Sequence, residues 1–171
     1  MEPHPFRQAF ESQDLDGLLS LLAEDVIFHS PVIAEPGFEG RDSAAVIVAI
    51  ALDLFQETAF THDFGDDQSH VLVGDTRVLG TPAKMTWLLE FDDEGTIREF
   101  WLMARPLAGV IAIAVGVGQA AERAEQGSAV RELAEALVGP AADMDRAAAN
   151  IISDINRWTA AQSAGQGARR P

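Results

Sequence analysis

The sequence predicts an α+β fold, with helices first, then an antiparallel sheet, then further helices. Three observations carry this. Apolar residues recur at helical spacing over 6–24 and again over 44–56. From about residue 58 to about residue 105 the period drops to two, as it does when side chains alternate across a sheet. Between the alternating runs lie GDDQS, GTP and DDEG, each rich in turn-forming residues. Four hairpin-linked strands preceded by helices make a layered sheet-and-helix domain.

The elements follow in order. FRQAFESQDLDGLLSLLAE, 6–24, reads as two helices with a break at DLDG, where an aspartate can accept from the free N–H groups of a new helix start. Phe6, Ala9 and Phe10 share one face of the first helix. VIFHSPV, 26–32, is a short strand that Pro31 stops. PGFEGRDS, 36–43, is a loop ending in a cap at Asp42 or Ser43. The helix over 44–56 is apolar almost all round, so it should be buried on most sides. Strands are expected at 58–65, 70–79, 83–91 and 96–105. The longest apolar run, PLAGVIAIAVGVG at 106–118, is shorter than the roughly 20 residues needed to span a bilayer. Beyond it, VRELAEALV at 130–138 is helical up to Gly139-Pro140. A last helix carries a narrow seam of Met144, Ala148, Ile151, Ile155 and Trp158, which suits docking on another surface. The expected organisation is one α+β domain over 1–118, a helical extension over 119–165 and a disordered tail over 166–171.

Composition narrows the function classes. Of 171 residues, 47% are apolar and 23% charged, which is ordinary for one globular domain. The net charge is −15, and residues 1–105 hold 20 acids against 6 bases. Such a surface repels phosphate backbones and anionic lipid, so neither nucleic acid nor a membrane is an expected partner. There is no cysteine, hence no disulfide, thiolate metal site or cysteine nucleophile. There is no tyrosine, so no phenol donor is available. MEPHPFRQAF lacks the basic start and apolar run of a signal peptide, and a cytoplasmic location is expected.

Three stretches together resemble the nuclear transport factor 2-like superfamily, in its SnoaL-like and ketosteroid isomerase-like branch. They are DLDGLLSLLAEDVIFHSPV, FEGRDSAAV and FDDEGTIREFWLMARPL, and the resemblance spans about residues 5–118. It implies a cone-shaped curved antiparallel sheet packed on the N-terminal helices around an apolar pocket. It also implies where chemistry would sit. The isomerases place a basic aspartate before a Pro-Val, and this chain has Ser30 before Pro31-Val32. Their two oxyanion donors correspond to Phe6 and Trp87, neither of which can serve as a neutral acid. Epoxide hydrolases of the superfamily use a tyrosine and an asparagine, yet here Asn150 and Asn156 lie in the extension. The cyclases use an aspartate or a histidine in the pocket, and that chemistry stays open.

Strand alternation forecasts the pocket lining. Met85, Trp87 and Leu89 share one face of their strand, as do Phe100, Leu102 and Ala104 of the next. With the resemblance, these faces point into the cone, joined by Leu72 and His70, Phe28 and Ser30, Phe55 and His62. Ser30 and His70 are then its polar points, and His70 is the candidate acid/base residue, because imidazole titrates near neutrality. Equally, Trp87 and Phe100 would fill the cone as core. Trp101 and Met103 fall on the outer face, where a second subunit or the C-terminal helices would cover them; a homodimer is favoured.

The densest polar stretch is FTHDFGDDQSH, 60–70. A metal needs three or more convergent ligands, which this pattern does not supply, so neither a metal nor a cofactor is expected. Its acids are read as turn chemistry and Gly65 as the residue that lets the chain reverse. A three-residue loop at 65–67 would set His62 opposite His70; a four-residue loop at 66–69 would pair Gly65 with His70 and split the histidines. The functional expectation is a protein that binds a small apolar molecule, with acid/base isomerase or cyclase action on a polyketide- or steroid-like substrate left open. The alternative is a non-catalytic dimerisation or interaction domain of the same fold.

Overall fold

The computed structural model describes residues 2–32, 37–123 and 157. Helix α1 (Pro5–Glu11) and helix α2 (Leu15–Ser20) lead into strand β1 (Leu22–His29), the short β2 (Phe38–Glu39) and helix α3 (Arg41–Leu54). Strands β3 (Phe55–Gly65), β4 (Ser69–Val78), β5 (Thr81–Phe91) and β6 (Ile97–Arg105) follow, and helix α4 (Leu107–Arg123) closes the described chain. The fold is mixed α+β with one curved, unclosed six-stranded sheet in the order β2-β1-β6-β5-β4-β3. β1 runs parallel to β6, and every other neighbouring pair is antiparallel.

The helix break at DLDG is present: Asp14 caps α2 by accepting from the Gly17 backbone N–H at 2.9 Å. The second helix is shorter than its periodicity predicts. Leu22 and Ala23 leave it to become the buried start of β1, where Leu22 pairs with Ile97. Tertiary pairing here outweighs local helix preference. The cap of α3 is Gly40, with φ +83, rather than Asp42 or Ser43. Phe55 likewise belongs to β3, not to the helix before it.

Bulges bend the sheet. β3 slips against β4 between Gln56 and Ala59 and again between Phe60 and His62, and β1 slips against β6 between Leu22 and Ile27. Each extra residue sharpens the local twist and curves the strand. The β4–β5 turn is Leu79-Gly80, not Gly80-Thr81-Pro82. Both residues have positive φ, as a two-residue hairpin demands.

The core fills the concave side. Phe6, Phe28, Trp87 and Phe100 are each at most 2% exposed. Trp87 lies among aromatic rings, with centroids at 5.4 Å to Phe6, 5.7 Å to Phe10 and 6.1 Å to Phe100. The apolar run at 106–118 forms most of α4, which packs on this same concave side: a Cβ at Gly109 would press on Ala83, and one at Gly116 on Leu54. So the described part of the C-terminal region roofs the interior and leaves the outer face of the sheet alone. The seam at 144–158, the helix at 130–138 and the tail lie outside the described residues. No described helix is long and apolar enough to cross a membrane.

Candidate functional site

Two recesses matter, and the strand geometry sets them apart. The first is an apolar cavity between α3, α4 and the concave face of the sheet. The sheet side contributes Phe28, Phe55, Trp87 and Leu102; α3 contributes Ile47, Ile50, Ala51 and Leu54; α4 contributes Ile113, Ala114 and Val117. Ser30, Pro31, Val32 and Phe38 complete the wall, so none of the lining side chains is ionisable. The cavity offers about 40 Å³ to the centre of a water-sized sphere. That is room for several waters or for a small apolar fragment.

Two polar groups accompany the cavity. Ser30 Oγ accepts from the Val32 N–H at 3.2 Å, which leaves its O–H available to donate. The Trp87 indole N–H is buried and has no hydrogen-bond partner among the described residues. An unmet buried donor costs about 1–3 kcal/mol. Its aromatic surroundings offer ring faces, which are weak acceptors at best.

The second recess lies at the turn end of β3–β6 and is open and acidic. His70 sits there. It pairs with Leu89, while Leu72 pairs with Trp87, so His70 is one same-face step nearer the turns than the cavity. The four-residue loop is the observed one: Gly65 pairs with His70, and Asp63 with Leu72. His70 and Asp63 therefore share the inner face, and His62 points outward. His70 Nε2 lies 2.6 Å from Asp63 Oδ1. Asp63 Oδ2 accepts from the His4 backbone N–H at 3.1 Å and faces Arg7 at 3.6 Å. The His4 ring packs on the His70 ring with centroids 4.3 Å apart.

These contacts shift titrations in traceable ways. Burial lowers the His4 pKa to about 4; the neighbouring His70 adds to the effect, and Asp63 opposes it. Burial alone would raise Asp63, but hydrogen bonds from His70 and the His4 backbone, with the nearby Arg7, bring its carboxyl below the ordinary value. Asp66 and Asp92 are also lowered, through backbone N–H donors at Gln68 and Ser69 for the first and through Thr96 for the second. Those two acids are turn chemistry, as expected.

Gly65 has a different role from the expected one. It lies inside β3 rather than in the turn, and its φ is not positive. A Cβ there would stand 2.6 Å from His70 Nδ1 and closer still to the Ser69 carbonyl oxygen. Its missing side chain is the space in which the His70 ring lies.

Residues 5–104 match the SnoaL-like domain. The chain belongs to the SnoaL-like family. A steroid delta-isomerase from Pseudomonas aeruginosa is similar at 28% identity and a TM-score of 0.66, over 70% of this chain and 88% of that one. A protein of cystatin-like fold from Silicibacter pomeroyi DSS-3 is similar at 22% identity and a TM-score of 0.64, over 77% of this chain and 90% of that one. No curated protein matches the chain.

Among the expected site residues of this SnoaL-like chain, Phe28, Ser30, Phe55, Trp87 and Leu102 meet at the cavity. Leu72, Met85 and Phe100 are buried in the core around it without lining it. His62 is exposed on the outer side, with its Nδ1 3.0 Å from the Thr61 hydroxyl, because the bulge at 60–62 fixes its parity. His70 does not line the cavity either, because Leu89 and Trp87 stand on the next strand where it would have to reach. Sequence reasoning missed Asp63, His4 and Arg7. Asp63 was findable, since it shares the parity of Gly65 once the four-residue loop is chosen. His4 was not, because tertiary packing alone brings the terminal segment to β3. Among the described residues no group of three or more His, Asp or Glu is placed to hold a metal ion.

Proposed function

We propose that this protein binds a small, mostly apolar molecule in the cavity under α3 and α4, without acid/base catalysis there. The observation that carries the reading is the cavity wall itself: apolar and free of ionisable groups. A pocket of that kind recognises shape and apolar surface, with a few polar points to orient the guest. Ser30 supplies one such point. Isomerase or cyclase chemistry on a steroid- or polyketide-like substrate would need a proton carrier, and the cavity wall has none. The similarity to a steroid delta-isomerase supports the pocket location, while Phe6, Ser30 and Trp87 argue against sharing its proton transfers.

The test is methyl NMR on the full chain with xenon, benzene and naphthalene as probes of rising size. Xenon or benzene should move the methyls of Ile47, Ile50, Leu54 and Ile113, and Ala114→Leu should abolish the effect by filling the space. Absence of methyl shifts with every probe would end the proposal.

The same reading includes a homodimer through the outer sheet face. Strand register aligns Phe64, Val71, Leu88, Trp101 and His29 in one outward row across five strands. Phe64 is 53% exposed, and the neighbouring Met103 is 48% exposed. Apolar rows of this kind mark interaction surfaces. Sedimentation should report a dimer for the wild type and a monomer for Trp101→Glu; a monomeric wild type contradicts it.

A further inference from the structure

The cleft at the turn end carries an inference that the cavity does not. His70 is 9% exposed and sits between two neighbours that fix its chemistry. On one side Asp63, held below its usual range and so an acceptor only, faces Nε2 at 2.6 Å. A carboxylate can only accept, so in the neutral ring Nε2 carries the proton and Nδ1 carries the lone pair. On the other side, Nδ1 has no hydrogen-bond partner among the described residues and lies over Gly65, where any side chain would cover it. His70 and Gly65 both line the cleft. Asp63 thus orients the ring from one side, and on the other Nδ1 keeps an acceptor lone pair that no described residue uses.

The rest of the cleft states what kind of donor fits. Asp66, Asp67, Asp93 and Glu94 line it, along with the rings of Phe91 and His4, whose centroids are 5.6 Å apart. The one arginine in the wall, Arg98, is engaged with Glu90 at 2.9 Å. The cleft measures about 980 Å³, against about 40 Å³ for the apolar cavity. A lone pair, carboxylates and aromatic faces are all complementary to a protonated amine and to nothing anionic.

We infer that this cleft is a binding site for a small protonated organic amine, one N–H of which donates to His70 Nδ1 while the carboxylates of the two turns surround its charge. Asp63 acts as a positioning residue, holding the tautomer that leaves Nδ1 free. The site is separate from the apolar cavity and does not depend on it.

The experiment is a titration of the full-length protein with 1,4-diaminobutane, with butanoate as the anionic control. The readout is the imidazole 15N shifts of His70, at a pH where those shifts show the ring to be neutral. Diaminobutane should move the Nδ1 resonance saturably and butanoate should not. His70→Gln should weaken diamine binding by about tenfold or more, the loss expected for a hydrogen bond to a charged partner. Should that variant fail to fold, the exposed pair Asp67→Asn with Glu94→Gln tests the same site and should weaken binding severalfold. Binding that leaves Nδ1 unmoved would show only diffuse surface attraction and overturn the inference. So would the absence of binding, or equal binding of butanoate.

Discussion

The two recesses of this protein are built from one sheet and have opposite chemistry. At the α3–α4 side, strand alternation presents Phe28, Trp87 and Leu102, and the space is small and lacks an ionisable group. At the turn end, two residues further along β4 and β5, the cleft is open and half of its lining residues are charged. The difference teaches that inward parity does not decide what a residue does. His70, Leu72 and Trp87 all face inward, yet only Trp87 reaches the cavity. What separates them is distance along the strand, and where a neighbouring helix or terminal segment covers the sheet.

The comparison can be broken most forcefully at the apolar side. Trp87→Ala removes a side chain that is 1% exposed and surrounded by rings. It should cost about 3–5 kcal/mol, measured by urea unfolding, and should enlarge the cavity. A cost below about 1 kcal/mol would mean that the aromatic packing does not hold the cone together.

At the polar side the expected effect is smaller. Asp63 joins β3 to the N-terminal segment by accepting from His70 and from the His4 backbone and by facing Arg7. Asp63→Ala leaves those half-buried donors unmet and should cost about 1–2 kcal/mol in the same measurement.

Acid should find the polar side first. The pKa of His4 in the folded protein, about 4, lies below the ordinary histidine value of about 6.5, so the unfolded chain binds its proton more readily. Stability is therefore full above the unfolded value and declines as pH falls toward 4. The lowered Asp63 contributes stability above the ordinary aspartate value, and that share is lost as pH falls through its folded pKa. His4→Gln should flatten the upper part of this profile and leave the lower part, as read from thermal midpoints across pH. An unchanged slope between pH 6.5 and 4 would remove His4 from the account.

The smallest effect belongs to the cleft's own acids. Asp67→Asn and Glu94→Gln are exposed turn substitutions and should leave stability within about 0.5 kcal/mol. A larger loss would make them structural and weaken their assignment to ligand binding.

How much of this was legible in the sequence follows the range of each interaction. Strand alternation was local and put Met85, Trp87 and Leu89 on one face, and the family resemblance turned that face inward. The family resemblance implied the curved sheet, and it implied that Phe6, Ser30 and Trp87 stand where the isomerases carry their catalytic groups. The FTHDFGDDQSH stretch was readable only up to a choice of loop length, because a one-residue change in the loop turns every side chain over. Helix ends misled where tertiary pairing intervened, as when Leu22 joined Ile97 instead of extending α2. The His4–Asp63–His70 contact was out of reach, since no local pattern tells where an N-terminal segment docks. The role of α4 was also missed. An apolar run fits a roof or a core equally, and only packing distinguishes them.

The central claim is that the apolar cavity and the His70 cleft are separate sites. One sample reports on both: the full-length protein with labelled methyls and imidazoles, titrated with benzene and then with 1,4-diaminobutane. Benzene should move Leu54 and Ile113 methyls while His70 stays fixed, and the diamine should move His70 Nδ1 while those methyls stay fixed. A single probe that moves both sets saturably, with one binding curve, would show one connected site and contradict the account.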